Sequence, residues 1–505
     1  MKKTIMLALA VALLGGAAYA NFGARDTVPS ATLLVPYIVV DADAHGIPST
    51  IGYTTLTVVT NVSSAKQIIH VSVFNAASEA VIDFDEVLSG YDVWSINWRD
   101  LVTGDFENFD TGSATSPAGA ATPGGKLGFW NAPSYAALQA ANAPQSWGPT
   151  MNNKPTFTGL VAPYDIDPSQ APITGTSCGF PWGNQSVYAG LIVAGLQSPL
   201  VAWPSQDTDC NPLNGAEIPA WGGWLSSLGD QPLFFYALID SVKSCNGFFP
   251  GDNSFWTGSA GGSYLSNTNV LTGYDFYMNP TQNYSESLPT VNLEASAAWG
   301  NAGNVSFYTA NRFGVTPVLT APLIDPTARE PLPTAWAFNY FQNGGATTQV
   351  AVWKNYDDFE STSKYNYVAA CRPYIYYAFD ESENSKASTT PNCPSGTFCL
   401  QPEPNVFPFQ TQMVKVNLTN FDGLMSGNGW MLLIFDPSIP YVTAAYDQDP
   451  ADLMTYVFAK YNFGTYSTSV EATVMSNPYI FPTQLMPALN TYNGTTTNYY
   501  GPVAQ

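Results

Sequence analysis

The chain has very few histidines, and this scarcity excludes most catalytic designs that need one. Only two occur among 505 residues, His45 and His70. The sequence has no His-Glu-x-x-His motif and no His-rich tract, so zinc-protease chemistry lacks its ligands. His70 lies in the middle of an apolar strand pattern, which predicts a core or sheet-face histidine rather than a catalytic one.

Basic residues are scarce as well. There are 16 Lys and Arg against 38 Asp and Glu, giving a formal net charge of −22. Nucleic acids and anionic lipids are held mainly by Lys and Arg, so this balance argues against both as partners. Only 11% of the residues are charged, whereas 45% are hydrophobic and 14% aromatic, a composition typical of a chain that folds.

The first twenty residues have the pattern of a secretory signal. Lys2 and Lys3 precede the apolar residues 4–14, and Ala18 and Ala20 supply the small side chains that signal peptidase requires. The apolar run is too short for a transmembrane helix, and none is expected elsewhere. The sequence therefore predicts a signal peptide over 1–20 and an exported protein, located outside the cell, at its surface or in the outer membrane rather than in the soluble periplasm.

The cysteines fit an oxidising compartment, where disulfides are the expected state. The six are Cys178, Cys210, Cys245, Cys371, Cys393 and Cys399. No Cys-x-x-Cys pair is present, which argues against zinc ligation and covalent haem. Six cysteines allow 15 connectivities, and the spacing alone does not choose among them.

The strand patterns predict a mainly β protein: antiparallel β-sandwich domains with a loop-rich insertion and one or two short helices. Residues 21–110 contain five short β patterns, expected to form a meander that is half of a sandwich. In the fifth, Trp94, Ile96 and Trp98 share the predicted core face. In the fourth, Asp83 and Asp85 alternate with apolar residues, which predicts that both carboxylates face water.

Two further regions follow. Residues 111–330 are rich in Gly, Pro and Asn and predict an insertion or a second β domain, whereas 331–505 return to strand patterns that could complete the first sandwich. One helix is predicted from Asp449, a capping residue followed by Pro450, to Lys460. An outer-membrane barrel is an alternative architecture for an exported chain with 29 tyrosines, although 39 prolines argue against it.

Catalytic motifs do not fit their surroundings. Ser177 lies in a Gly-x-Ser-x-Gly match, but Pro181 follows where a helix should begin and no histidine lies downstream. Ser63 and Lys66 match Ser-x-x-Lys in a predicted turn rather than a helix. Paired carboxylates could support glycoside hydrolysis without histidine. The candidates are Asp83, Asp85 and Glu86, or Asp357, Asp358 and Glu360. A solvated acidic face is the simpler interpretation of each group.

Two kinds of ligand site remain as candidates. No cofactor is expected other than Ca²⁺, for which Asp41, Asp43, Asp207, Asp209 and Asp447 are weak candidate ligands. The segment around His45 begins like a calcium loop but has Gly52 where the closing Glu is needed. Tryptophans in loop patterns are candidates for stacking on a sugar, since they are freer than those in strands. These are Trp147, Trp182, Trp221 and Trp224.

Several segments resemble a widespread group of uncharacterised secreted bacterial β-sandwich proteins. The similar segments are residues 33–37 (LLVPY), 55–61 (TLTVVTN), 82–85 (IDFD) and 88–94 (LSGYDVW), with further pieces between Thr334 and Phe409. The group's typical segments are "LVPYY…TLLSVVNTT" and "LDFNLYLSPYDVW". The resemblance implies secretion, a β-sandwich and a bridge between Cys371 and Cys399. It implies no activity.

Together these features predict a non-enzymatic exported protein that serves as a structural, matrix or adhesive component. Its expected partners are further copies of itself or a surface polysaccharide. The alternatives are a polysaccharide-active hydrolase with paired carboxylates and an outer-membrane pore.

Overall fold

The computed structural model describes less than half of the chain. The described residues are 28–41, 52–76, 78, 80–103, 196, 233–244, 246, 248–250, 255–256, 263–296, 307–308, 329–355, 374–387, 407, 409–421, 424, 427–435, 454–464, 466–475, 489–492 and 495–498.

The fold is mainly β, as predicted, and every strand pair within it is antiparallel. The strands are β1 Thr32–Val40, β2 Thr54–Asn61, β3 Gln67–Asn75, β4 Ala80–Leu88, β5 Val93–Asn97, β6 Leu233–Val242, β7 Leu271–Asn279, β8 Tyr284–Pro289, β9 Val291–Leu293, β10 Ala335–Tyr340, β11 Thr347–Lys354, β12 Ile375–Asp380, β13 Ser385–Ala387, β14 Thr411–Lys415, β15 Gly429–Ile434, β16 Thr455–Asn462, β17 Ser467–Glu471, β18 Thr473–Val474, β19 Leu489–Tyr492 and β20 Thr495–Asn498. A short helix, α1 Trp98–Thr103, follows β5, and 3₁₀ turns span Pro280–Gln282 and Asn343–Gly345.

The strands form four larger sheets and one hairpin of β19 and β20. Sheet I has the order β5-β2-β7-β8 and sheet II the order β4-β3-β6-β1-β9. Sheet III has the order β14-β11-β16-β17 and sheet IV the order β13-β12-β15-β10-β18. Sheets I and II enclose one apolar core, and sheets III and IV lie on either side of another.

The predicted meander is wrong, although its five strands exist. β1, β3 and β4 belong to sheet II, whereas β2 and β5 belong to sheet I. The chain therefore crosses between sheets from β1 to β2 and again from β2 to β3. Local patterning cannot show this, because each strand buries an apolar face in the same core whichever sheet it joins.

The core between sheets I and II contains the side chains that the alternation predicted. Trp94, Ile96 and Trp98 are at most 6% exposed, which confirms their core assignment. From the facing sheet, Leu33, Val35 and Ile38 join them, together with alternate residues of β3 and β6. The Trp98 indole nitrogen donates a 2.8 Å hydrogen bond to the Thr57 hydroxyl, so its one polar atom is satisfied.

The second face of sheet II is buried as well, in part by aromatic packing against sheet III. The Tyr236 and Trp353 rings meet edge to face with centroids 5.8 Å apart, and Tyr37 and Phe458 do so at 6.3 Å. A main-chain hydrogen bond from Gln410 to Ala76 and a hydroxyl bond from Thr411 to the Pro36 carbonyl join the two sheets further. The sandwiches thus share one aromatic junction.

The predicted helix near residues 449–460 is wrong where the structure describes it. Residues Thr455–Asn462 form β16, a strand flanked by β11 and β17. Val457, Tyr456 and Phe458 have high strand propensity, and all three are buried on a sheet that is covered on both faces. When both faces of a strand are buried, apolar residues no longer alternate with polar ones along the sequence. Their spacing can then resemble that of a helix.

We expect Trp353→Ala to weaken the junction between the sandwiches. The indole is 2% exposed, stacks on Phe307 with centroids 5.6 Å apart and meets Tyr236 edge to face, so truncation leaves a large cavity. The free energy of unfolding should fall by about 3–5 kcal/mol, measured by urea denaturation. Tyr466→Ala, at a side chain that is 78% exposed, is the matched control and should change it by less than about 0.5 kcal/mol.

Candidate functional site

Among the described residues, a group of ionisable side chains lies together on the junction-facing surface of sheet II. Asp85 of β4 is the cross-strand partner of His70 in β3, and His70 is in turn paired with Asp240 of β6. Thr32 of β1 is opposite Asp240 on the other side. Directly opposed residues share a face, so these four side chains form one polar row across four adjacent strands.

The carboxylates of this region are buried, which corrects the predicted water-facing position of Asp83 and Asp85. Their exposed fractions are 6% and 2%, and Glu86 is 8% exposed. Phe84, between them, is buried in the core on the opposite face of the strand. The alternation of apolar and acidic residues is thus real, but irregular segments cover the face that was expected to be wet.

His70 is the centre of the row. Its ring is fully buried, and Nδ1 lies 2.9 Å from Oδ1 of Asp85. Nε2 lies 3.8 Å from Oδ2 of Asp83, which is an ion-pair contact rather than a hydrogen bond. The Phe255 ring covers the imidazole with centroids 5.8 Å apart. The prediction of a core histidine is confirmed, with a charged environment that the pattern did not reveal.

The Asp240 carboxylate accepts hydrogen bonds from two different segments of the chain. Its Oδ1 accepts a hydrogen bond from the Thr32 hydroxyl, and its Oδ2 accepts one of 2.6 Å from the Tyr308 hydroxyl. Arg329, which is fully buried, donates from Nε to the Thr32 hydroxyl over 2.8 Å. The guanidinium also donates to Asn267 Oδ1 and to the Ser266 carbonyl, so the row anchors the segments that cover the sheet.

Burial and charge oppose each other in setting the pKa values of this row. Burial alone would lower the pKa of His70, but the attraction of Asp85, its hydrogen bond and the further carboxylates Asp83 and Asp240 raise that pKa to about 9. Burial raises the pKa of Asp85 against the opposing effect of His70, and raises that of Asp240 against Arg329. At neutral pH His70 is therefore an imidazolium ion paired with Asp85.

A second buried carboxyl lies inside the sandwich of sheets I and II. Asp275 of β7 is 1% exposed and accepts a 2.6 Å hydrogen bond from its cross-strand partner Thr57. Burial raises its pKa to about 8, and the hydrogen bond from Thr57 offsets only part of that effect. Asp275 is therefore mostly a neutral carboxylic acid at pH 7.

The row of buried side chains on sheet II keeps His70 protonated and connects the covering loops to the sheet. The hypothesis of sugar hydrolysis by Asp83, Asp85 and Glu86 requires carboxyl groups that can reach a substrate. These three are buried, and Asp85 is already paired with His70 and with the main-chain nitrogen of Asn246 at 2.9 Å. Removing one partner would leave the other as an uncompensated buried charge, so these side chains are held in place by one another.

Asp41 is the one calcium candidate that the structure describes. Its Oδ2 accepts a 2.7 Å hydrogen bond from the Tyr53 nitrogen, and its own nitrogen donates to the Tyr53 carbonyl. It therefore fastens the start of β2 to the end of β1. No set of three Asp, Glu, His or Cys side chains is placed to hold a metal ion in the described ranges.

The other predicted site residues lie outside the described residues. They include all six cysteines, so the bridge between Cys371 and Cys399 stays a prediction. The calcium candidates Asp43, Asp207, Asp209 and Asp447 are among them, as are the tryptophans Trp147, Trp182, Trp221 and Trp224, and also His45, Ser177, Asp357, Asp358 and Glu360.

Sequence reasoning missed Thr32, Asp240, Tyr308 and Arg329. One signal was available for Asp240, which is the only charged residue in the strand LFFYALIDSV. A lone carboxylate in such a run has to find a partner inside the protein. The positions of Tyr308 and Arg329 could not be inferred, because both lie in irregular segments distant from β6 in sequence.

No protein-family model, curated protein or solved structure matches the chain. Within the part of the chain that the structure describes, no helix is long and apolar enough to cross a membrane.

Deprotonation of His70 should destabilise the fold at alkaline pH. The folded-state pKa of about 9 exceeds the ordinary histidine value of 6.5, so the stabilising effect of protonated His70 is complete below pH 6.5 and is lost as the pH rises to 9. Urea denaturation across this range should show stability falling, by up to about 1.4 kcal/mol per pH unit for one proton. In the matched pair replacement His70→Gln with Asp85→Asn, this dependence should be absent. An equally steep fall would contradict the assignment.

Asp275→Asn should stabilise the protein increasingly from pH 4 to pH 8. The pKa of Asp275 is raised from 3.8 to about 8, so folding favours the protonated acid and loses that contribution as the pH rises through this range. Asparagine keeps an acceptor for Thr57 and carries no charge at any pH. The difference in unfolding free energy from the wild type should grow with pH, by at most about 1.4 kcal/mol per unit. A constant difference would argue against a neutral Asp275.

Proposed function

We propose that the protein is an exported, non-enzymatic β-sandwich protein that serves as a structural or adhesive component at the cell surface or outside the cell. The observation that carries the proposal is the fate of the ionisable row. The ionisable residues of this row are all buried and paired within the protein: His70, Asp85, Asp240 and Arg329. Their side chains therefore hold sheets and loops together.

The architecture supports the same role. Two sandwiches share an aromatic junction, and that junction is reinforced by an ion pair between Lys460 of β16 and Glu286 of β8 at 3.1 Å. The Lys460 amino group also lies 4.5 Å from the centroid of the Tyr284 ring. Links of several kinds between the sandwiches favour a body that keeps its shape while its surface makes contacts.

The proposed location rests on the sequence of residues 1–20, with its basic start, apolar segment and small residues before Asn21. The resemblance to secreted bacterial proteins supports it. Six cysteines in an oxidising compartment would add disulfides, of which Cys371 to Cys399 is the first to test.

Fractionation of the producing cells tests the proposal. Medium, material released by surface shear, outer membrane and periplasm are probed separately, and the state of assembly is measured wherever the protein occurs. We expect it in the medium, sheared or outer-membrane fraction, and a variant lacking residues 2–20 should stay in the cytoplasm. Recovery only as a periplasmic monomer would overturn the surface role.

A further inference from the structure

The turns at one end of the sandwich of sheets III and IV leave apolar side chains in solvent. This loop end consists of residues 341–346, 381–384, 416–421, 427–428 and the β16–β17 turn with Phe463, Gly464 and Tyr466. Strand register brings them together, because Tyr340 and Asp380 both pair with Gly429, and Asn462 pairs with Thr347 and Ser467. Leu418, Phe463 and Tyr466 are 62%, 46% and 78% exposed.

The two aromatic residues are presented on a tight turn. The Phe463 nitrogen donates a 2.7 Å hydrogen bond to the Tyr466 carbonyl, and Gly464 has φ +87°, which suits glycine. Behind them, the Phe341 ring lies 5.4 Å from Phe463 and 5.2 Å from the buried Tyr461, between centroids. Phe463 is therefore supported by a packed aromatic layer, so a ligand that stacks on it meets a ring already held in position.

Polar groups occupy the neighbouring turns of the same loop end. Asn428 accepts hydrogen bonds of 3.2 Å from the nitrogens of Gln342 and Asn343 and donates one to Glu381, so three turns are fastened together. The side chain of Asn343 itself is exposed. Gly344 and Gly345 have nothing within 4 Å of where a Cβ would lie, so the turn is open to an approaching molecule. Amides and carboxylates at the same end of the sandwich as exposed aromatic rings suit a ligand with many hydroxyl groups.

The charge of the loop end limits the class of ligand. Asp380, Glu381 and Glu383 contribute three carboxylates, against the exposed Lys386 of β13 and Lys415 of β14, whereas Lys460 of β16 is already paired with Glu286. With a net charge of −22 for the whole chain, this surface repels anionic polymers and anionic lipids. An uncharged ligand meets no such penalty.

We propose that the loop end of the C-terminal sandwich binds an uncharged polysaccharide, with Phe463 and Tyr466 stacking on sugar rings and Asn343 and Glu381 contacting hydroxyl groups. The proposal names a partner for the adhesive role under Proposed function and rests on it. This contact surface is separate from the loop tryptophans that the sequence offers as candidates for stacking on a sugar.

Pull-down of the full-length protein on insoluble cellulose, chitin and amylose tests the proposal, with alginate gel as the anionic comparison. We expect binding to at least one uncharged polymer and none to alginate. Tyr466→Ala and the double variant Phe463→Ala with Tyr466→Ala should bind about tenfold more weakly or not at all. Tyr91→Ala is the matched control, because Tyr91 is 71% exposed but lies in the turn before β5 of the other sandwich.

Thermal denaturation of each variant establishes folding, and the single variant Tyr466→Ala keeps the test valid if the double variant is unstable. Failure to bind every uncharged polymer, or equal binding by wild type and Tyr466→Ala, would overturn the proposal. A wild-type oligomer that dissociates in Tyr466→Ala would assign the surface to a second copy instead, and binding to phosphatidylcholine vesicles would assign it to a membrane. Fractionation decides surface location independently of these outcomes.

Discussion

The buried pair of His70 and Asp85 sets the conditions that the rest of sheet II has to satisfy. Two charges inside a protein lose their hydration, and only close partners and further hydrogen bonds offset that loss. The neighbouring strand brings Asp240 into the same row, and Thr32, Tyr308 and Arg329 complete its hydrogen bonds. Irregular segments must therefore cover this face, because water at the row would hydrate the charged groups and weaken their attraction to one another.

Aromatic packing covers the remainder of that face and determines how the two sandwiches meet. Tyr236 and Phe74 stack within sheet II with centroids 5.0 Å apart, and Tyr236 meets Trp353 of sheet III edge to face. Large rings bury much area with few rotatable bonds, so they fix an interface at a low cost in side-chain entropy. The polar row and the aromatic patch are adjacent parts of one surface, and each relies on the other to exclude water.

The sequence predicted strand existence well and strand partnership poorly. The strand character of β3 and β6 is readable locally because β-branched and aromatic residues dominate both. The pairing of those two strands, which places His70 opposite Asp240 and Phe74 opposite Tyr236, depends on contacts that no local window contains. The error at β16 has a related cause, since burial on both faces is a tertiary property. For the same reason Asp83 and Asp85 could not be distinguished from surface residues.

The burial of sheet II on both faces also restricts where this protein can make contacts. A sheet covered by another sheet on one side and by aromatic rings and loops on the other offers no open surface. Turns have no such constraint, because they lie beyond the ends of the ladders and their backbone groups are satisfied locally, as in the turn from Phe463 to Tyr466. Phe463 and Tyr466 remain exposed at this turn. The loop end is thus where the fold permits an apolar contact and where the side chains provide one.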